Sequence, residues 1–288
     1  MVRHRAWLEV GPVTFRVGSA WPGPVRALRR LYEGYPQAGD IADYTVRLEP
    51  AKPWRRWARP SLAIGGDYVL PDAAPLPLAH GLVAAEMAMN LQMALGERRF
   101  LLLHAASVEK DGRALILTGE SGAGKSTLSA MLGERGWRFM GDEFALLEPV
   151  TGLLHPFPRP VSLKNEAIRV MEAQVAAERF GPALENTPKG RIRHLRPRAE
   201  AIARMGEPVR PALILFPRFG KARDLRPVGA AEAFMRLTQA STNYVAMGER
   251  GYDALTSLVR NCPAAAADYP DADAAFALID LLWAEVER

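Results

Sequence analysis

One glycine-rich stretch of the chain carries residue types that could bind a phosphate group. Residues 119–127 read Gly-Glu-Ser-Gly-Ala-Gly-Lys-Ser-Thr, the pattern G-x-x-x-x-G-K-[ST] of a P-loop. Its glycines allow the backbone to turn tightly and to point successive N–H groups at an anion. Lys125 would place a positive charge on the β- and γ-phosphates, and the Ser126 hydroxyl could bind Mg²⁺. The predicted nucleotide-binding residues are Gly119, Glu120, Ser121, Gly122, Ala123, Gly124, Lys125, Ser126 and Thr127.

The residues on either side of this stretch have the patterns that a P-loop needs. Residues 113–118 form a short apolar run typical of a strand, and Leu128, Met131 and Leu132 recur at helical spacing. The sequence therefore predicts a strand, a glycine loop and a helix in that order. The positive end of the helix dipole would then add to the attraction for phosphate.

Two adjacent carboxylates follow the predicted P-loop at a short distance. Asp142 lies seventeen residues after Lys125, and one helix and one strand fit between them. We therefore expect Asp142 at a strand end beside the P-loop, where it could hold Mg²⁺ or accept the proton of an attacking hydroxyl. Glu143 can face the nucleotide as well only if the chain bends at Gly141, because successive strand residues face opposite sides. The predicted metal ligands are Ser126, Asp142 and Glu143.

The spacing of the two motifs favours a kinase. Motor and transporter ATPases usually place their second acidic motif much further along the chain than residue 142. The sequence also lacks the Ser-Gly-Gly-Gln run that is typical of transporter ATPases. Phosphoryl transfer depends mainly on positioning and charge neutralisation, so a P-loop, Mg²⁺ and one carboxylate would suffice.

Further residues around the P-loop resemble a known family. His104 lies fifteen residues before Gly119, and Arg135-Gly136-Trp137-Arg138 precedes the paired carboxylates. These features resemble the catalytic domain of HPr kinase/phosphorylase, a bacterial serine kinase. Residues 157–165 and 187–190 narrow the resemblance to the branch called HPr-kinase-related kinase A, which is similar to kinases of peptide-natural-product clusters.

The resemblance covers roughly residues 99–288 and implies a cytosolic, Mg²⁺-dependent kinase. Its donor would be ATP, with GTP also open, and its acceptor a Ser or Thr hydroxyl on a small protein or peptide. Asp142 aligns with the family's proton acceptor, Glu143 with a carboxylate near the metal, and His104 with the active-site histidine. Together with Lys125, these are the predicted catalytic residues.

The sequence also departs from the family. Glu143 stands where the family has Asp, and Ala105 stands where it has Gly. The family's later glycine-rich phosphorylase signature is not evident. We therefore predict kinase activity without the reverse, phosphorolytic activity.

Three basic residues in loops with Pro or Gly are candidates for contacts to the substrate or the transition state. They are Arg159, Lys189 and Arg218. Loops of this kind carry a large share of functional residues.

The predicted fold class is α/β. We expect a P-loop kinase domain on a mixed sheet at residues 99–288, similar to the nucleotide site of phosphoenolpyruvate carboxykinase, preceded by a small α+β domain at residues 1–98. Smaller predictions concern a hairpin at Gly11-Pro12, one strand at 101–108, a tight hairpin at Asp111-Gly112, helices at 165–180 and 273–286, and a loop at 185–198.

Composition limits the partners that we expect. The formal net charge is +5, too small and too dispersed to indicate nucleic acid. Trp54 and Trp57 alternate with arginines and could bind a nucleic acid or an acidic partner, but we favour a loop whose Trp rings cover the core. The single Cys262 suits a reducing cytosol. No signal-peptide pattern or membrane-spanning run is present, so we predict a cytoplasmic protein; the apolar face of the last helix would serve the core or a homo-oligomer contact.

Two alternatives to a protein kinase stay open. One is a small-molecule kinase of the shikimate or gluconate type, which begins almost at its P-loop, whereas 118 residues precede it here. The other is a nucleotide-binding sensor or assembly protein that does not transfer phosphate.

Overall fold

The computed structural model describes residues 3–37, 39, 41–187 and 190–286. These residues form a mixed α/β structure with several sheets. The chain divides into two compact units, each described by itself below. The first comprises residues 1–97 and 162–196, and the second comprises residues 98–161 and 197–288.

The first unit is built on a five-stranded sheet with the order β1-β2-β3-β4-β5. Its strands alternate apolar residues, which are buried under two helices, with polar residues that face solvent, as expected for a sheet covered on one side. All neighbouring strands are antiparallel except β2 and β3. The elements are β1 (His4–Val10), β2 (Val13–Ser19), α1 (Pro22–Leu31), β3 (Tyr44–Pro50), β4 (Ser61–Gly66), β5 (Leu76–Pro77) and α2 (Gly81–Gly96).

One local prediction in this unit is confirmed and one is wrong. The first hairpin turns at Gly11-Pro12, with Val10 paired to Val13. Trp54 and Trp57, however, do not cover the core, because their side chains are 56% and 77% exposed. Their rings instead pack near cations, with Lys52 Nζ 5.4 Å from the centre of the Trp54 ring.

Residues 98–161 build two sheets from a chain that crosses between them. The elements are β6 (Leu101–Leu103), β7 (Ala105–Lys110), β8 (Arg113–Thr118), α3 (Lys125–Glu134), β9 (Arg138–Gly141), β10 (Ala145–Leu147) and β11 (Leu154–His155). The single strand predicted at 101–108 is broken at His104, because β6 pairs with β10 whereas β7 pairs with β8 and β9. The Asp111-Gly112 hairpin is confirmed, with φ angles of 53° and 75°.

Residues 162–196 belong to the first unit, although the predicted domain boundary at residue 98 assigned them to the second domain. Arg196 forms an ion pair with Glu33 at 3.0 Å, and His80 Nε2 lies 3.2 Å from the Glu185 carbonyl oxygen. These contacts tie the segment to the first unit. Its elements are β12 (Val161–Lys164), α4 (Glu166–Glu172), β13 (Leu184–Thr187) and β14 (Gly190–Leu195).

Two predictions in this segment are wrong. The helix predicted at 165–180 ends at Glu172, and a 3₁₀ turn follows at Ala177–Arg179. The region predicted as a loop at 185–198 contains β13 and β14. Its polar composition hid a one-sided strand, in which Ile192 and His194 are buried while Arg191 and Arg193 are only partly covered.

The rest of the second unit completes a six-stranded sheet with the order β16-β17-β15-β8-β7-β9. Its middle strand β15 runs parallel to both β8 and β17, so the sheet is mixed as predicted. The core beneath it includes Ile116, Ile214, Leu237 and Leu255. The elements are α5 (Ala199–Ala203), β15 (Arg210–Phe219), β16 (Asp224–Val228), α6 (Ala230–Ala240), α7 (Tyr244–Met247), α8 (Glu249–Asn261), β17 (Ala264–Tyr269) and α9 (Ala272–Val286).

The predicted last helix is therefore confirmed as α9. Within the described part of the chain, no helix is both long enough and apolar enough to cross a membrane.

Candidate active site

The glycine loop, residues 119–124, joins β8 to α3, so the predicted strand and helix are present on either side of it. Gly119, Gly122 and Gly124 have φ angles of 149°, 88° and 92°. Residues that carry a side chain rarely adopt such φ angles, which explains why glycine is needed at these three positions. The conformation leaves the loop backbone available to an anion at the start of α3.

Lys125 is the first residue of α3 and its side chain folds back over the loop. Its Nζ donates hydrogen bonds to the carbonyl oxygens of Gly119 at 2.6 Å and of Glu120 at 2.9 Å. The side chain is largely buried, with 8% of the residue exposed. The ammonium group is thus held at the loop itself, where it can contact phosphate oxygens.

Two aromatic residues form a wall against the glycine loop. Because β15 and β17 run parallel to β8, their C-terminal residues Phe219 and Tyr269 reach the same edge of the sheet as the loop. A Cβ atom built on Gly124 would lie 3.2 Å from Tyr269 Oη and 3.3 Å from Phe219 Cβ. The Phe219 N–H also donates to the Ala123 carbonyl oxygen at 3.3 Å.

The two rings differ in their exposure. Phe219 is 57% exposed, whereas Tyr269 is 3% exposed. Within the described residues the Tyr269 hydroxyl has no hydrogen-bond partner. Burial raises the pKa of Tyr269 to about 12. Neither residue was predicted from the sequence as part of the site; the only sequence signal is that each ends a strand next to the P-loop strand.

The carboxylates reach this edge by a route that the sequence did not predict. We expected Asp142 at a strand end beside the P-loop, but β7 lies between β8 and β9. Strands two places apart in a sheet are separated by roughly 10 Å. Ala105 pairs with Thr118 and Ser107 with Gly141, so His104, Gly119 and Asp142 leave the large sheet at the same edge.

The chain bends directly after Gly141, at Asp142 and Glu143. A Cβ atom on Gly141 would lie 3.0 Å from the Phe144 carbonyl oxygen and 3.1 Å from that of Phe157, so a larger residue would require these backbone groups to shift. The chain leaves β9 in the large sheet and enters β10 in the small one within three residues. Asp142 is 7% exposed, and the Glu143 side chain is 36% exposed.

His104 and Glu143 come together because the chain crosses between the two sheets at two adjacent points. His104 joins β6 to β7, and residues 142–144 join β9 to β10, while β6 and β10 pair with each other. His104 Nδ1 lies 3.8 Å from Glu143 Oε2, with the histidine side chain 48% exposed. Thr118 Oγ1 donates to the His104 carbonyl oxygen at 3.3 Å, and this hydrogen bond ties the crossing to the end of β8.

The three basic residues predicted to contact the substrate or the transition state differ in their surroundings. Arg218 is paired with Asp268 through Nε–Oδ1 and Nη2–Oδ2 hydrogen bonds of 2.7 and 2.5 Å. These bonds raise the pKa of Arg218, although its side chain is 65% exposed. Arg159 is buried, and its guanidinium lies 5.8 Å from the centre of the Phe157 ring. Lys189 lies outside the described residues.

The oxygen ligands that the protein offers suit a Mg²⁺ ion that is also bound by a nucleotide. Within the described residues no group of three or more His, Cys, Asp or Glu could by itself hold a metal ion. Mg²⁺ in nucleotide sites usually keeps water and phosphate ligands and takes only one or two from the protein. The hydroxyl of Ser126 and the carboxylates of Asp142 and Glu143 are oxygen donors of the kind that this ion prefers.

Comparisons with known proteins give little support of their own. No protein-family model and no curated protein matches the chain. Among the similar solved structures is the HPr(Ser) kinase/phosphatase from Coxiella burnetii, which matches 64% of this chain over 95% of its own length. The two are 14% identical and the TM-score is 0.29. A similarity this low does not support an inference about function, so we infer the function from the geometry of the site.

Proposed function

We propose that the protein is a Mg²⁺-dependent kinase that transfers the γ-phosphate of ATP to a Ser or Thr hydroxyl of a small protein or peptide, without phosphorylase activity. One observation carries this proposal. The glycine loop with Lys125, and the crossing that bears His104, Asp142 and Glu143, lie at the same edge of the same sheet. An anion cradle and an acid–base group at one edge are the parts that phosphoryl transfer requires.

In the proposed reaction the loop N–H groups and the start of α3 bind the β- and γ-phosphates. Lys125 exchanges its carbonyl acceptors for phosphate oxygens and neutralises their charge. Ser126 and the Asp142 or Glu143 carboxylate would hold Mg²⁺, which supplies further positive charge. The acceptor oxygen forms a bond to the γ-phosphorus while the bond to the β,γ-bridging oxygen breaks. Asp142 accepts the hydroxyl proton, and ADP leaves.

The remaining residues of the edge have supporting roles in this proposal. His104 lies near the Glu143 carboxylate, where it can orient that group and contact the acceptor. Phe219 exposes its ring beside Gly124 and offers a flat surface on which the nucleotide base can stack. Arg218 lies at the same edge and is paired with Asp268. It can contact phosphate only after that pair opens.

The replacement Asp142→Asn tests the proposal. It keeps the size of the side chain but removes the proton acceptor, so we expect transfer to fall by about 10²–10⁴-fold while ATP binding persists. Transfer is measured from γ-labelled ATP to cell-extract proteins and to a panel of Ser- and Thr-containing peptides, and binding by calorimetry. Asp111→Asn, on the exposed tight hairpin, is the matched control.

Each other outcome has a definite meaning. Unchanged transfer by Asp142→Asn would remove the base assignment. Mass spectrometry that finds the label only on a free metabolite would favour a small-molecule kinase. Nucleotide binding with no labelled product across many extracts would favour the sensor or assembly protein.

A further inference from the structure

The solvent face of the first unit's sheet carries a pocket lined by arginines from three adjacent strands. It is a cavity of about 200 Å³, and none of its lining residues is used in the proposed kinase reaction. The lining residues are Arg5 of β1, Arg16 and Gly18 of β2, and Thr45, Val46 and Arg47 of β3.

Strand register explains how the arginines surround one point. Gly18 pairs with Arg5 on one side and with Arg47 on the other, so these residues form one row across the sheet. Arg16 precedes Gly18 by two residues and faces the same side. Because Gly18 has no side chain, the floor between the three arginines is backbone. Arg5 and Arg47 start roughly 10 Å apart, two strand spacings, and long side chains easily cover that distance.

Among the described residues, the three arginine side chains form no ion pair with Asp or Glu. Arg16 Nη2 donates to Thr45 Oγ1 at 3.1 Å, and its guanidinium lies 5.6 Å from the centre of the Trp7 ring. These contacts hold Arg16 in place while leaving donor positions for a ligand.

Two aspartates close to this face, Asp43 and Asp67, hydrogen-bond to threonines rather than to the arginines. Asp43 Oδ2 accepts hydrogen bonds from the N–H and the hydroxyl of Thr14 at 2.7 and 2.8 Å. Asp67 Oδ2 accepts one from the Thr45 N–H at 2.6 Å. Three like charges around one small cavity repel one another, and a bound anion would remove that repulsion.

We propose that this pocket binds a phosphate group, either as inorganic phosphate or as the phosphate monoester of a larger ligand. Complete ligand sites usually measure 300–1,000 Å³, so a 200 Å³ cavity suits a single group. Guanidinium groups present paired N–H donors that match phosphate oxygens, and a dianion balances more of their charge than a carboxylate.

The charges on this face of the sheet do not favour a polynucleotide as the ligand. Glu9 follows Trp7 by two residues in β1, and Glu49 follows Arg47 by two in β3, so acidic side chains flank the positive spot. Beyond the three lining arginines, Arg3 lies two residues before Arg5 on the same face, but Glu9 and Glu49 interrupt the positive charge along β1 and β3. A chain of successive phosphates would meet repulsion on leaving the pocket.

The test uses the full chain with Lys125→Ala, which removes the main phosphate-binding side chain of the glycine loop. We expect this protein to bind inorganic phosphate or phosphoserine in calorimetry, with NMR shifts at the Gly18 and Val46 amides. Adding Arg16→Gln and Arg47→Gln should weaken binding at least tenfold. Adding Arg26→Gln, an exposed arginine on α1, should leave the affinity unchanged.

The two phosphate sources separate in the same titrations. Tighter binding of phosphoserine than of inorganic phosphate would indicate a phosphorylated ligand, and equal affinity would indicate free phosphate. Absence of phosphate binding, equal binding by the double arginine variant with an unchanged melting temperature, or tighter binding of a DNA or RNA duplex would overturn the proposal. None of these results depends on whether the protein transfers phosphate.

Discussion

The glycine loop and the arginine pocket are two candidate anion sites built on different principles. The loop uses backbone N–H groups, three glycines at positive φ and one lysine at the start of a helix. The pocket uses three long side chains on the solvent face of a sheet, with a glycine as its floor. A backbone site fixes residue types within one short stretch, whereas a side-chain site depends on strand register. The first is therefore open to sequence reasoning and the second is not.

Removal of the loop lysine should give the largest contrast between the two sites. Lys125→Ala deletes the ammonium group that hydrogen-bonds to the loop carbonyl oxygens, so we expect phosphate transfer to fall by about a hundred- to a thousandfold. Phosphate binding at the arginine pocket should be unaffected. Transfer from labelled ATP and calorimetry with phosphoserine measure the two quantities, with Lys164→Ala as the control. Loss of both activities at once would show that the sites are not independent.

Two glycines in the loop allow conformation and contact to be separated. Gly122 and Gly124 both have positive φ, so either change to Ala should cost about 1–2 kcal/mol. Only at Gly124 would the new Cβ meet the wall of Phe219 and Tyr269, since nothing lies within 4 Å at Gly122. We expect Gly124→Ala to cost a further ~1–3 kcal/mol of unfolding free energy. Urea denaturation checks this, and equal costs would contradict the proposed packing.

The exposed ring of Phe219 should distinguish a nucleotide site from a bare phosphate site. Stacking of a base on an aromatic ring contributes about 1–3 kcal/mol, so Phe219→Ala should weaken ATP binding about tenfold. Binding of inorganic phosphate to either region should not change. Phe219→Tyr, which keeps the ring, serves as the control in calorimetry. If Phe219→Ala bound ATP as tightly as the wild type, the base would lie elsewhere.

The smallest expected effect is a pH dependence at the loop wall. Burial raises the pKa of Tyr269 to about 12 from an ordinary 10, so the native state favours the neutral phenol. This contribution to stability is fully present below pH 10 and is lost as the pH rises toward 12. Between pH 9 and 12, Tyr269→Phe should lower the slope of the urea midpoint against pH.

The control for that measurement is Tyr252→Phe, because Tyr252 is 53% exposed. Cys262 will add to the same trend in all variants, since burial raises its pKa to about 12 as well. An identical slope for the wild type and Tyr269→Phe would show that the Tyr269 hydroxyl is not buried in solution.

The parts that sequence reasoning could reach are those specified by neighbouring residues. The hairpin at Asp111-Gly112 needs positive φ at two successive positions, and an Asp-Gly pair is typical of such a turn. The glycine loop lies between a strand and a helix for the same local reason. The sequence indicates that Asp142 and Glu143 can act together only if the chain bends at Gly141, and the chain bends directly after it, at residues 142–143.

The parts that sequence reasoning missed depend on pairing with distant residues. Residues 101–108 look like one apolar strand, but two different sheets draw β6 and β7 apart at His104. The alanine-rich β17 has no strong strand propensity, yet it pairs with β15 and β16. This pairing places Tyr269 beside the glycine loop. Trp54 and Trp57 look like core residues and are exposed, because an apolar ring does not by itself specify burial.

The double crossing between the large and small sheets has a mechanical consequence. Both links, His104 and residues 142–144, are anchored to the paired strands β6 and β10, while the glycine loop follows β8 alone. A displacement of the small sheet would act first on the histidine and the carboxylates, and it would reach the glycine loop through the end of β8, which the Thr118–His104 hydrogen bond ties to the crossing. Under the proposed function, changes in β6 and β10 would therefore shift the acid–base groups more than the phosphate-binding loop.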